Sequence, residues 1–170
     1  SQINIDLNES MENLEKGDYL ISSIRVLKKN GIDINRGYDI EIKGDIPIKA
    51  GLSSSSALTV AWLRFLVRAA SNNNKFDDEQ FAKWAYESEV LEFNEDGGLM
   101  DQYTISIGGM LYINTSNASY KRLGTSLGTI IIGDSGVEKN TQDILSRLKN
   151  NALKAIDIVK RDNPSFSIHN

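Results

Sequence analysis

Three stretches of this chain carry residue types that could do chemistry. The segment KAGLSSSSALTVAWLRF, Lys49 to Phe65, sets four serines, Ser53 to Ser56, between a glycine and an apolar run. The segment GGLMDQ, Gly97 to Gln102, places one carboxylate, Asp101, just after a glycine pair. Between them lies an acidic stretch holding Glu87, Glu89, Glu92, Glu95 and Asp96. Flexible Ser/Gly linkers join domains and have polar flanks. This serine run has an amphipathic segment before it and an apolar helix after it, which argues against a linker. A serine nucleophile needs a base, and the strained G-x-S-x-G elbow is absent. The single histidine, His169, sits one residue from the chain end, where fraying is usual. An anion loop has a direct mechanism: small residues let the backbone close on a phosphate, and the helix after the loop aims its amides and positive dipole end at it. The loop is not a Walker A motif, because no G-K-[ST] comes after the glycine. On spacing alone, an anion site and a plain serine N-cap explain the run equally well. The five acids read as a solvated helix face. Asp101 reads as the N-cap of a short helix starting at Gln102, with Gly97-Gly98 as a turn before it and Gly108-Gly109 ending it.

Elements must position these residues. Ile3 to Leu7 and Tyr38 to Ile46 alternate apolar and polar and read as strands. Glu12 to Lys29 carries a helical stripe of Leu14, Ile21, Ile24 and Leu27, closed by a glycine stop. From about Ser55 to Ala70, Leu58, Trp62, Phe65, Leu66 and Ala69 recur at helical spacing. Phe76 to Phe93 makes another helix, with Asp77 or Asp78 as N-cap and Phe81, Trp84, Ala85 and Leu91 as its core face. Met110 to Asn114 and Thr129 to Asp134 read as strands. Thr141 to Lys160 reads as a long amphipathic helix with Ile144, Leu145, Leu148, Ala152, Ala155, Ile156 and Val159 inside. Strands and helices intermix without regular βαβ alternation, so the class is α+β.

The 170 residues suffice for one domain with a real core. A net charge of −4 and the lack of a long Lys/Arg run argue against a nucleic-acid partner. With no cysteine, disulfides, thiolate metal sites and cysteine nucleophiles are excluded. No run approaches the ~20 apolar residues of a membrane span, and the N-terminal residues do not resemble a signal peptide. The expectation is a cytoplasmic protein with no membrane partner.

The string IPIKAGLSSSSAL resembles the second motif of the GHMP small-molecule kinases, approximately P-x-x-x-G-L-x-S-S-A. Pro47, Gly51, Leu52, Ser54 and Ser55 match in place, and Ser56 stands where the family often has alanine. GGLMDQ looks like the G-I-M-D-Q segment of galactokinases, in which the aspartate contacts the substrate hydroxyl. Glu89, twelve residues before Asp101, stands where that pattern has its Mg²⁺-binding glutamate. The likeness covers residues 38 to 114 best. It implies an N-terminal, ATP-binding GHMP domain: α+β, a mixed sheet packed against helices, with a left-handed βαβ unit. It implies ATP and Mg²⁺ as cofactors and a small sugar or alcohol as substrate, phosphorylated on a hydroxyl. Gly51, Leu52, Ser53, Ser54 and Ser55 would bind the ATP phosphates, Ser55 and Glu89 the metal, and Asp101 would be catalytic. Gln102 favours a sugar, because mevalonate kinases carry asparagine there. The galactokinase opening segment G-R-x-N-(L/I)-x-G-E-H and the glycine-rich third motif have no counterpart, so the expectation is a fragment lacking the first motif and the C-terminal domain. GDSG, Gly133 to Gly136, looks more like mevalonate kinases. That leaves a mevalonate-type kinase, or a non-catalytic sugar- or nucleotide-binding member of the same fold, as alternatives.

Overall fold

The computed structural model describes residues 3–7, 14–70, 75–125, 127–133, 136 and 141–167. Four helices form the body: α1 (Tyr19–Lys29), α2 (Ser54–Ala69), α3 (Asp78–Tyr86) and α4 (Met100–Ile107). Next come a two-stranded antiparallel hairpin, β1 (Leu111–Asn114) and β2 (Ser119–Arg122), and then a long helix, α5 (Thr141–Asp162). The hairpin register pairs Leu111 with Arg122 and Ile113 with Tyr120.

The apolar stripes explain the packing of α1, α2 and α3. Ile24 and Leu27 of α1, Leu63 and Leu66 of α2, and Phe81, Trp84 and Ala85 of α3 share one buried cluster. Phe76 meets Trp84 edge-on with ring centroids 4.8 Å apart. The Trp62 indole donates to the Leu20 carbonyl at 3.0 Å and so joins α2 to α1. A second cluster seats α4 through Leu99, Tyr103 and Ile107 against Ala82. Arg64 crosses three helices: its guanidinium lies 4.6 Å from the Phe81 ring centre and donates to Asp78 Oδ1 at 2.7 Å and to the Ser106 carbonyl at 3.2 Å.

Local chemistry sets the helix ends. Asp77 caps α3, its Oδ1 accepting from the Gln80 amide at 2.8 Å. Gly31, at φ +75°, closes α1, and the Ile32 amide returns to the Leu27 carbonyl at 2.9 Å. Arg122 closes α4 from the hairpin, donating to the carbonyls of Ile107 (2.8 Å) and Gly108 (3.1 Å).

Several expectations are corrected. α3 does not run on as an α-helix to Phe93. Residues Glu87–Leu91 form a π-helical turn, in which the Glu92 amide bonds the Glu87 carbonyl at 3.0 Å. The wider turn shifts the helical phase, so Leu91 swings out to 52% exposure while Glu89 and Val90 turn inward. Ile3 to Leu7, Tyr38 to Ile46 and Thr129 to Gly133 form no ladder; Asp134 lies outside the described residues. Alternation marks which face a strand would bury, but a strand also needs a partner for its amides. Helices with one small antiparallel sheet keep the α+β class, but among the described residues that sheet has two strands and shows neither a mixed sheet nor a βαβ crossover. The second strand of the hairpin is short and polar, SYKR, and carries no hydrophobic signal. The first helix begins at Tyr19 instead of Glu12; residues 11–13 lie outside those described. Among the described residues the apolar stripe of α5 is largely uncovered: Ile144, Leu148 and Val159 are exposed and Ile156 is half-buried, while the Leu145 side chain is outside the described set. Among the described residues no helix is long and apolar enough to cross a membrane.

Candidate active site

The approach to α2 turns left-handed at three residues, Lys49 (φ +58°), Gly51 (φ +77°) and Ser53 (φ +53°). Glycine takes that conformation freely, whereas for a lysine or serine such sparsely populated backbone costs of order 1–3 kcal/mol. The result is a tight curl ending at the helix start. The Ser53 side chain makes no capping bond. The first intrahelical bond runs from the Ala57 amide to the Ser53 carbonyl at 3.0 Å. The amides of Ser54, Ser55 and Ser56 therefore precede the helix's own ladder, at the positive end of its dipole. The plain-cap reading of the serines fails on this geometry.

A cavity of about 670 Å³ opens at this end of α2. Gly51, Leu52, Ser53, Ser54 and Ser55 line one side. Glu89, Val90 and Phe93 from the π turn and its exit line another, with the Asn94–Gly98 loop, Asp101 and Gln102. Lys16, Tyr19 and Ser146 complete the walls. Gly51 to Ser55, Glu89 and Asp101 all border this one space.

Glu89 is the most enclosed of them, 5% exposed. Its Oε2 accepts from Ser56 Oγ at 2.7 Å and from Gln102 Nε2 at 2.5 Å, and its Oε1 accepts from Thr59 Oγ1 at 3.1 Å. Burial raises the carboxyl pKa, and the hydrogen bonds from Ser56, Gln102, Thr59 and Ser55 pull against that rise. Two of the neighbouring acids, Glu92 and Glu95, are half-buried and paired, while Asp96 is exposed. Glu92 pairs with Arg25 at 3.0 Å and Lys29 at 2.5 Å, and Glu95 with Lys16 at 3.4 Å. Asp96 accepts from Ser146 at 3.0 Å and pairs with Lys149, which ties α5 to the cavity rim.

Asp101 lies in the first turn of α4 and is exposed. It is not an N-cap: the helix starts at Met100, and the capping position belongs to Leu99. Gly97 is a packing requirement, because a Cβ there would stand 2.9 Å from Val90 Cγ2. Gln102 is buried beside Glu89, and its Oε1 has no partner among the described residues.

Sequence reasoning missed Ser56, Thr59 and Tyr19. Ser56 and Thr59 are one helical turn apart on α2, a spacing that puts both hydroxyls on one face, but only the fold shows a carboxylate opposite. The Tyr19 hydroxyl is pushed up to about 12 by burial and by the charges of Glu95 and Glu89. Asp134, Ser135 and His169 lie outside the described residues. Among the described residues no cluster of three or more His, Cys, Asp or Glu side chains could hold a metal.

Residues 18–109 match the family model described as the GHMP kinases N terminal domain. The chain belongs to the GHMP kinase family. The family segment contains the serine loop, Glu89 and Asp101. Among the relatives of this GHMP chain is a galactokinase from Exiguobacterium sibiricum, 33% identical over 131 residues, covering 74% of this chain and 33% of that protein. A galactokinase from Ligilactobacillus salivarius is 29% identical over the same shares. One from Limosilactobacillus reuteri is 25% identical over 98% of this chain and 44% of its own length. The chain thus spans between a third and a half of the length of these relatives. No solved structure gives a significant match.

Proposed function

We propose that this chain is the ATP-binding portion of a sugar kinase resembling galactokinase, which transfers the γ-phosphoryl group of ATP to a hydroxyl of a small sugar. The observation that carries the reading is the convergence at one cavity of three elements distant in sequence: the amides that open α2, the buried Glu89 and the exposed Asp101. The galactokinase names of the relatives favour a sugar over mevalonate.

In this reading Gly51 to Ser55 wrap the phosphates, and the free amides at the start of α2 hold their oxygens. Ser55 and Glu89 would hold Mg²⁺. Both offer hard oxygen donors, and a site with one carboxylate and one hydroxyl suits a cation that keeps waters and phosphate oxygens as its other ligands. A Mg²⁺ held there would neutralise phosphate charge. Asp101 accepts a hydrogen bond from the acceptor hydroxyl and aligns its oxygen on the γ-phosphorus. The new O–P bond forms as the bond to the β-phosphate oxygen breaks, and the hydroxyl proton passes to Asp101 late. A carboxylate is a weak base toward a free alcohol, so its main share is orientation. Phosphoryl transfer asks for this kind of positioning more than for covalent chemistry.

The test is ADP release by the full-length gene product with Mg-ATP against hexoses, heptoses, uronic acids and mevalonate, beside Asp101→Asn. Turnover of one sugar, lost by ~10²-fold or more in the variant, supports the reading. ATP binding without turnover of any acceptor sinks the sugar-kinase assignment and points to a binding member of the family.

A further inference from the structure

We infer that α5 is a strap along the rim of the cavity, latched to Asp96 through Ser146 and Lys149, and that release of this latch gates the exchange of ligands with the cavity. The gating role rests on the nucleotide reading proposed above; the latch does not.

The two sides of this rim are held in different ways. The Asn94–Gly98 loop is fixed to the π turn. The Asn94 amide bonds the Leu91 carbonyl at 3.2 Å, and the Glu95 amide bonds the Val90 carbonyl at 3.0 Å. Gly97 lies so close to Val90 that a Cβ would stand 2.9 Å from it, and Glu95 pairs with Lys16 at 3.4 Å. α5 has no such seat. Among the described residues none of its side chains joins either hydrophobic cluster, and it packs broadly on no other helix or strand. Ile144, Leu148, Leu153, Ile158 and Val159 are all exposed. Most helical stability in a protein comes from tertiary packing, and segments with few buried contacts open at low free energy. The ties of α5 at the rim are polar. Ser146 and Lys149 stand one turn apart on one helix face. Ser146 Oγ donates to Asp96 Oδ2 at 3.0 Å, and Lys149 Nζ pairs with Oδ1. The Lys149 and Ser146 bonds hold the Asp96 carboxyl below its ordinary pKa. Asp96 and Ser146 both border the cavity that Gly51 to Ser55 line. One carboxylate on a fixed loop therefore anchors a weakly packed helix at the cavity edge. An exposed ion pair of this kind is weak. It biases the strap toward the rim, yet lets it release on the μs–ms timescale of lid motions.

The experiment compares the full-length gene product with Asp96→Asn, Lys149→Gln and the double variant. Hydrogen–deuterium exchange reads α5, and stopped-flow dissociation of a fluorescent ADP analogue in Mg²⁺ reads the cavity. Each single variant is expected to speed exchange across α5 by roughly three- to fivefold, the scale of an exposed ion pair, while α1 to α4 exchange as before. Dissociation of the analogue is expected to speed by the same factor, and association with it, so affinity moves less than either rate. The double variant should match the single ones, because both remove one interaction. Added salt should speed α5 exchange in the wild type and leave the double variant unchanged. Unchanged α5 exchange in both single variants overturns the latch, as do fully additive effects in the double variant. Faster α5 exchange with unchanged nucleotide rates overturns the gating. Should one single variant disturb the fold, seen as faster exchange in α1 to α4, the other decides by the same criteria. If the wild type fails to bind the analogue, the nucleotide reading fails and takes the gating with it, while α5 exchange still decides the latch.

Discussion

The two carboxylates of the cavity are built in opposite ways. Glu89 is buried in a π turn and held by side chains from two other helices. Asp101 stands exposed in the first turn of α4 and caps nothing. A carboxylate like Glu89 is part of the fold as well as of the site, so changing it disturbs both. A carboxylate like Asp101 contributes little to packing, so changing it should leave the fold intact.

The comparison can be broken most directly at Glu89. Glu89→Ala leaves Ser56, Thr59 and Gln102 as buried groups without their acceptor, and is expected to cost about 3 kcal/mol of stability in urea unfolding. A loss below ~1 kcal/mol would mean the network contributes little. Asp101→Asn is the contrasting case. Its barrier should rise by about 2.7 kcal/mol, the ~10²-fold rate loss expected of a positioning group, read in kcat. Its unfolding midpoint should stay unchanged, within the roughly ±0.5 kcal/mol of a surface substitution. Gly97→Ala tests the wall between the two. The added methyl meets Val90 at 2.9 Å, next to Glu89, and should cost about 1–3 kcal/mol by overpacking. The nucleotide affinity should fall with it if the wall is shared. Asp77→Ala, which removes the α3 cap outside the cavity, should cost about 1 kcal/mol with activity per folded molecule unchanged.

Acidity sharpens the same contrast. Burial raises the Glu89 pKa, so between its ordinary value of 4.5 and the raised folded value the native chain binds more protons than the unfolded chain. Stability from this group therefore falls as pH rises through that window and recovers on acidification. Glu87 shifts in the same direction, chiefly through burial. The quantity to measure is thus the difference between wild type and Glu89→Gln in denaturant midpoint across that window, where the variant should have the flatter profile. Parallel profiles would remove Glu89 from the pH response.

Legibility in the sequence differed by element. The helical stripes of α1, α2 and α3 were legible because apolar residues at helical spacing need only a neighbour of any kind to be buried, and Asp77 announced its cap by type and position. The α5 stripe was equally legible as a helix, yet its apolar face is largely uncovered, since periodicity says which side wants burial and nothing about what lies opposite. The strand patterns at Tyr38 to Ile46 and Thr129 to Gly133 failed for a related reason. Ile131 is 92% exposed, because alternation cannot supply the partner that a ladder requires.

The site divides along the same line. By itself the sequence determined that a glycine-led serine run opens a helix, and that Glu89 and Asp101 stand at family spacing from one another. Those are facts of residue type and distance along the chain. Only the tertiary structure decided that Glu89 is buried rather than solvated. One extra residue in a helical turn shifts the phase of the side chains by about 100°, a little more than a quarter circle, and no local pattern in ESEVL marks that insertion. Tertiary contact also made Ser56, Thr59 and Gln102 into one hydrogen-bonded set. Their donors meet a single carboxylate across α2, α4 and the π turn, and hydrogen bonds act over about 3 Å of space, whatever the separation in sequence.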